Sequence, residues 1–239
     1  MDIRKAIAGM VKTALWVVNR RASLRHDLAG RIFHRVLAEA KYLGAYYTSI
    51  PSATLLLKLA LGRNGGTFDW SSMDKVQGLT IADLACGTGT LLMAAADAVL
   101  DNYLRACSDQ AIPAVPEEIE RLHSSLVEKV IHGFDVLPSA IHLTASTLSL
   151  RDPDTPINVT NLSCLRLDGD AMGSLEFFET SRLEGTLFSR PERIAGKPGK
   201  PREIVFPKAD LCVMNPPFTS SRQPNLLFGN LSAADRKML

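Results

Sequence analysis

The tetrapeptide Asn215-Pro216-Pro217-Phe218 follows the mostly apolar run Ala209-Asp210-Leu211-Cys212-Val213-Met214. Two prolines directly after a buried strand donate no hydrogen bond, and each restricts its predecessor. They make a stiff, extended turn with defined carbonyl directions. Asn215 offers an amide oxygen and Phe218 an aromatic face. Together they suit a planar group bearing an exocyclic amine. The Asn215 side chain and the Pro216 carbonyl accept the two amine hydrogens, while Phe218 stacks on the ring. A ring-conjugated amine, such as that of adenine, is a poor nucleophile because its lone pair is delocalised. Two acceptors favour a pyramidal nitrogen and localise the lone pair as the transition state forms. Such a nitrogen attacks an electrophilic methyl group in line, without a covalent enzyme intermediate.

A second run, Leu79-Thr80-Ile81-Ala82-Asp83-Leu84, reads as a buried strand entering Cys86-Gly87-Thr88-Gly89-Thr90 and then a helical stretch. Strand, glycine-rich turn and helix make a ligand site at the strand's C-terminal end. Gly87 and Gly89 allow a tight turn and close approach of a ligand, and the helix offers N–H groups to an anion. The dinucleotide fingerprint wants a third Gly or Ala, where Leu92 stands, and the phosphate-binding loop wants Gly-Lys-Ser/Thr, which is missing. S-adenosylmethionine fits better, having a carboxylate, an ammonium, a ribose diol and an adenine but no phosphate. The helix N-terminus can meet the carboxylate and Asp83 the ammonium. Asp135, ending the next strand, can accept from the ribose hydroxyls. The competing structural readings are a plain tight turn at the glycines and a helix cap at Asp135, ahead of Pro138.

The elements that must position these groups follow from periodicity and punctuation. Residues 130–136 read as a strand before a helix beginning near Pro138, and residues 157–167 hold a third strand. A helix covers residues 91–104. Pro113 and Pro116 end it, and Glu117, Glu118 and Glu120 open another with charges suited to its dipole. Pro51 fits the first turn of a helix through Leu55, Leu56, Leu59 and Ala60, and residues 62–78 read as a loop. Upstream, Ile3, Ile7, Val11, Leu15 and Val18 form one helical stripe. Leu24, Leu28, Ile32 and Leu37 form another, capped by Ser23 and stopped by Gly44. Both helices are expected to pack on the same chain. Residues 190–208 mix Arg and Lys with Pro and Gly and read as an exposed basic loop, a solvated connector or a phosphate contact. Strands alternating with helices imply an α/β fold with a mainly parallel sheet.

With these motifs placed, the sequence resembles the amino-group DNA methyltransferases that modify adenine N6, above all the modification subunits of type I restriction systems. Gly44-Ala45-Tyr46-Tyr47-Thr48 resembles the family's segment ahead of the glycine loop, and Asp83-Leu84-Ala85-Cys86-Gly87-Thr88-Gly89 its cofactor loop. Gly133-Phe134-Asp135 resembles its ribose-binding acid, and Gly169-Asp170-Ala171-Met172 the segment whose Asp meets the cofactor's adenine amine. Asn215 to Phe218 is its catalytic tetrapeptide in full. The resemblance implies a Rossmann-like S-adenosylmethionine-dependent fold over residues 44–239, preceded by a helical segment, 1–43. It implies cofactor contacts at Tyr46, Tyr47, Thr48, Asp83, Ala85, Gly87, Gly89, Asp135 and Asp170, with Asp168 competing for the last role. It makes Asn215, Pro216, Pro217 and Phe218 catalytic, with Phe218 stacking a flipped base.

Ser49 and Ile50 stand where the family often has Pro after Tyr-Tyr-Thr, and residues 106–129 read as a helical insertion. The resembled sheet has seven strands and the sequence shows four, so the fold is expected to be incomplete at its C-terminus. A fragment of a longer protein, inactive alone, is favoured over a truncated product or one half of a split enzyme. Expected partners are DNA, through regions largely outside the chain, and a specificity subunit or nuclease. Asn-Pro-Pro-aromatic also serves enzymes that methylate protein glutamine or RNA adenine. A non-catalytic subunit docking a partner through its N-terminal helices is the reading from a different class.

Composition sets the outer bounds. Of 239 residues, 46 % are hydrophobic and 22 % charged, which is globular rather than disordered. A net charge of +2 is too small to announce a nucleic-acid binder by charge alone. Cys86, Cys107, Cys164 and Cys212 form no C-x-x-C pair and no zinc-ligand spacing, so no metal is expected and a reduced, cytoplasmic compartment is the simplest reading; the family resemblance implies a prokaryotic one. None of these cysteines follows a proline, which argues against cytosine-C5 chemistry. No apolar run reaches the length of a membrane span, and Lys12 interrupts the stretch that a signal peptide would need.

Overall fold

The computed structural model describes residues 3–19, 33, 48–62, 68–113, 115–149, 160–165, 174 and 207–216. In chain order these form α1 (Ile3–Asn19), α2 (Ile50–Ala60), α3 (Met73–Gln77), β1 (Ile81–Asp83), α4 (Thr90–Asp109) and α5 (Pro116–Ser125). A π-helical turn, Leu126–Val130, carries α5 into β2 (Ile131–Asp135), which is followed by α6 (Pro138–Ser149), β3 (Asn161–Cys164) and β4 (Leu211–Val213).

The sheet order is β3-β2-β1-β4, and every pairing is parallel. The chain therefore builds outward from β1 through β2 to β3, then returns to the other side of β1. Such a reversal opens a crevice at the carboxyl ends of the two strands that flank it, where ligands of open α/β sheets bind. Here those strands are β1 and β4, with Asp83 in register with Val213. A reciprocal clamp just upstream fixes that register: Thr80 N donates to Asp210 Oδ2 at 2.8 Å, and Asp210 N donates to the Thr80 carbonyl at 2.9 Å.

Alternation along the strands divides their side chains between two faces. Ile81, Ile131, Leu162 and Val213 face a large core that also holds Val76 of α3, Leu92 and Val99 of α4, Leu122 of α5, and Ile141 and Leu148 of α6. Ala82, Leu84, Phe134 and Leu165 form a smaller cluster on the other face. Each fully buried Leu or Ile stabilises the fold by about 1.5–3 kcal/mol. A Cβ at Gly133 would lie 2.6 Å from Leu162 Cδ2 and 2.8 Å from Leu92 Cδ1, so a residue without a side chain is what lets α4 seat on β2. The start of α2 is capped by Ser49, whose hydroxyl accepts from Ser52 N, with Pro51 in its first turn. Ala53, Leu57 and Leu61 bury its inner face, and Asn102 Nδ2 of α4 donates to the Leu61 carbonyl at 2.7 Å.

The parallel α/β sheet matches the expected class, and all four expected strands are present, though β1 and β4 are shorter than read. Three expectations need correction. Residues 62–78 are not all loop: Ser72 accepts from Lys75 N and caps α3, a five-residue helix pinned by buried Val76. The helix after the glycine loop runs on to Asp109, so residues 106–109 belong to it rather than to an insertion. Buried Ala106 and Cys107 extend its core face past residue 104. The apolar stripe of α1 is not packed: Ile3, Ile7, Val11 and Leu15 are 54–74 % exposed. Periodicity marks a face without saying what covers it. The expected second helix from Ser23 to Gly44 and most of the basic segment 190–208 lie outside the described residues.

Candidate functional site

Both chemical motifs emerge at one edge of the sheet. β1 ends at Asp83 and its neighbour β4 ends at Val213, so Ala85 and Asn215 each lie two residues beyond a registered pair.

The glycine loop is held from three sides. Gly89 N donates to the Cys86 carbonyl at 2.8 Å, closing the turn, and Cys86 N donates to the Phe134 carbonyl of β2 at 2.9 Å. Thr144 of α6 donates through Oγ1 to the Gly87 carbonyl at 2.8 Å. Gly87 and Gly89 have φ of 53° and 85°, in the left-handed region that glycine adopts without strain. The two differ in surroundings. A Cβ on Gly89 would meet Thr144 Cγ2 at 2.7 Å, whereas nothing lies within 4 Å of a Cβ on Gly87. Gly89 is thus a packing requirement, and Gly87 leaves open space over the loop.

Gly89→Ala combines backbone strain with that overlap and is expected to destabilise the fold by about 1–3 kcal/mol. Thermal denaturation reads this as a Tm drop of about 2–4 °C per kcal/mol. Wild-type melting would show that Thr144 yields freely.

Asp83 is 1 % exposed. Its Oδ1 accepts from Ala85 N at 3.0 Å, while Oδ2 is buried with no partner. Burial pushes its carboxyl up to about 8; the Ala85 N–H opposes the rise and the neighbouring Asp135 charge adds to it. Asp135 lies across the loop, half-buried. Its Oδ2 accepts from Gly87 N and its Oδ1 from Leu137 N, both at 2.8 Å. Burial raises this carboxyl too, against the pull of those donors. Leu137 precedes α6, so its bond to Oδ1 closes a turn ahead of the helix and is not the expected cap. Through Gly87 N, Asp135 ties the glycine loop to β2. Burial holds the thiol of Cys86 well above its ordinary value and, with the Asp83 charge, raises that of Cys212. Neither offers a thiolate nucleophile at neutral pH.

Asn215 is half-buried and donates through Nδ2 to Thr48 Oγ1 at 3.0 Å. Pro216 is exposed beside it. The structure therefore brings Thr48, Asp83, Ala85, Gly87, Gly89, Asp135, Asn215 and Pro216 to the carboxyl end of the sheet, while Tyr46, Tyr47, Asp168, Asp170, Pro217 and Phe218 lie outside the described residues. Ser174, four residues past Asp170, donates to the Leu84 carbonyl at the end of β1. Among the described residues, no group of three or more His, Cys, Asp or Glu could hold a metal ion.

The sequence profile of the N-6 DNA methylase family matches residues 26–230, a span containing both the glycine loop and the Asn-Pro-Pro-Phe tetrapeptide. The chain belongs to the N-6 DNA methylase family. No curated protein matches it in sequence.

Membership makes this N-6 DNA methylase a DNA methyltransferase, with DNA as the substrate that the family implies. Family members generally use S-adenosylmethionine. Two features of the site suit such a ligand. The orphaned Asp83 oxygen wants a cation or donor, and the space over Gly87 admits close approach to the backbone.

Sequence reading missed two contributors to this methylase's site. Thr144 supports the glycine loop from 57 residues away, and Ser174 braces the end of β1 from 90 residues away. Both are hydroxyls bonded to main-chain carbonyls across tertiary contacts, for which no local pattern exists.

Proposed function

We propose that this N-6 DNA methylase transfers a methyl group from S-adenosylmethionine to the exocyclic N6 amine of adenine in DNA, on a Rossmann-like methyltransferase fold. The observation that carries the reading is the pairing of β1 with β4, which sets the Asp83 loop beside Asn215. A cofactor site and an amine-acceptor site within one crevice are what direct methyl transfer requires.

S-adenosylmethionine supplies an electrophilic methyl group when bound. Asp83 Oδ2 would meet its ammonium, Asp135 its ribose hydroxyls, and the opening turn of α4 its carboxylate. At the other wall, Asn215 Oδ1 and the Pro216 carbonyl accept the two hydrogens of the target amine. That support would localise the nitrogen lone pair for attack on the methyl carbon, whose bond to sulfur breaks with the electron pair staying on sulfur, and one amine proton then passes to solvent water. Phe218, three residues beyond Asn215 in the sequence, would stack on the flipped base. No step calls on a cysteine, in keeping with the raised Cys86 and Cys212 thiols.

The test offers DNA, RNA and protein to the full-length protein with methyl-labelled S-adenosylmethionine. Label in DNA, recovered as N6-methyladenine after hydrolysis, is the expected result. Label in RNA or in protein glutamine alone would move the activity to a different planar amine.

A further inference from the structure

An asparagine amide is nearly symmetric in shape but opposite in function at its two ends. Its terminal torsion has two broad wells about 180° apart, and one of them presents a donor where the other presents an acceptor. At Asn215 that choice decides the chemistry. With Oδ1 toward the crevice, the side chain accepts from an amine. Turned over, it would point N–H groups at N–H groups.

The strand that carries Asn215 does not settle the orientation, because β4 fixes backbone and not amide rotation. The group that restrains it comes from elsewhere in the fold: the Thr48 hydroxyl oxygen accepts from Asn215 Nδ2 at 3.0 Å, 167 residues away in sequence. Thr48 sits directly before Ser49, the N-cap of α2. Ser49 Oγ lies 2.6 Å from Ser52 Oγ, and Ala53 N donates to the Ser49 carbonyl at 3.0 Å. Ala53, Leu57 and Leu61 anchor the helix in the core. The hydroxyl is thus carried by an element that does not depend on β4.

We infer that Thr48 is a positioning residue for the reaction: its hydroxyl oxygen, accepting from Asn215 Nδ2, anchors the amide by its nitrogen end, so that Oδ1 is the end left for the target amine. The inference rests on the proposed amine methylation for its purpose and goes beyond it in assigning Thr48 a role toward the target rather than the cofactor. A hydroxyl has one proton and two lone pairs. Thr48 accepts from Asn215 through one of those lone pairs.

Thr48→Val removes the acceptor at nearly constant shape, and Thr48→Ser keeps it. Both are compared with wild-type in the full-length protein, with melting checked alongside. At saturating S-adenosylmethionine, Thr48→Val is expected to lose about 10–100-fold in kcat, the effect of one lost hydrogen bond felt in the transition state. Its calorimetric Kd for S-adenosylmethionine should stay within about threefold, and Thr48→Ser should recover most of the rate. An activity-independent readout uses 15N-asparagine-labelled protein, the Asn215 side-chain resonance being assigned by its loss in Asn215→Ala. That resonance is expected to shift, with faster hydrogen exchange, in Thr48→Val but not in Thr48→Ser. Unchanged kcat with a weakened Kd would make Thr48 a cofactor contact only and overturn the inference, as would an unmoved Asn215 resonance in Thr48→Val. If the wild-type protein methylates no DNA, the proposed function falls, while the resonance still decides whether Thr48 sets the amide.

Discussion

Asn215→Ala is expected to lower kcat by about 10²–10³-fold while leaving the Kd for S-adenosylmethionine within a few-fold. The magnitude is that of removing one preorganised polar group aimed at developing charge. The selectivity follows from placement. Asn215 lies two residues beyond β4, whereas the loop that would hold the cofactor is closed by bonds within β1, β2 and α6. Truncating a half-buried side chain beyond a strand end leaves those bonds intact. Single-turnover methylation of DNA, beside calorimetry with S-adenosylmethionine, separates the two quantities. Equal loss of binding and rate would mean that Asn215 shapes the cofactor site, and the division of labour proposed for the two strands would then be wrong.

The second large effect is expected at Asp83, and it has two faces of opposite sign. In the ligand-free protein this carboxyl is raised from 3.8 to about 8, chiefly by burial. Below pH 4 both folded and unfolded chains hold the proton. As pH rises from about 4 to about 8, the unfolded chain has lost it while the folded chain keeps it, so ligand-free stability falls across that window and levels off above it. Asp83→Asn removes this slope and is expected to melt higher than wild-type at pH 8 without ligand. Cofactor binding runs the other way. Pairing with an ammonium needs the ionised carboxylate, so affinity for S-adenosylmethionine should strengthen from pH 6 to 8, by up to about tenfold per unit. Asp83→Asn should flatten that profile and weaken binding at pH 8. Calorimetry across pH, in buffers of differing ionisation heat, reads both affinity and proton release. A pH-independent Kd with no proton released would remove Asp83 from the ammonium site. A buried carboxylate oxygen with no partner is thus a local cost to the fold, kept where a ligand's charge can relieve it.

How much of this was legible in the sequence depends on which residues are asked about. The glycine loop and the Asn-Pro-Pro-Phe turn announce themselves because backbone chemistry is local: a left-handed φ at Gly89 and a stiff proline pair need no distant information. The parallel sheet followed from the alternation of apolar runs with helical ones. Asp135 was legible as an acid at a strand end, but its bond to Gly87 N was not, since that depends on β2 lying beside β1. The same limit hid Thr144 and gave Thr48 only half its role. Their partners are chosen by packing across 57 and 167 residues of sequence, and no periodicity encodes such a choice. The apolar stripe of α1 shows the converse limit, a clear local pattern that among the described residues meets no core.

The sheet order also has a consequence for the sequence of folding events. The Asp83 loop is closed by β1, β2 and α6, all within residues 81–149. Asn215 joins it only when β4 returns to pair with β1, a closure of 130 residues from Ile81 to Leu211. Loop-closure entropy grows slowly with length, so this arrangement costs little final stability, but contacts so distant in sequence form late. The short β4 is one of the two edge strands among the described strands, bonded to β1 alone. On the proposed function, the cofactor loop is expected to form before the strand that carries the amine-acceptor turn docks. The proposed catalytic step would then depend on a single docking event, so methyl transfer is expected to fail under mild denaturant before cofactor binding does.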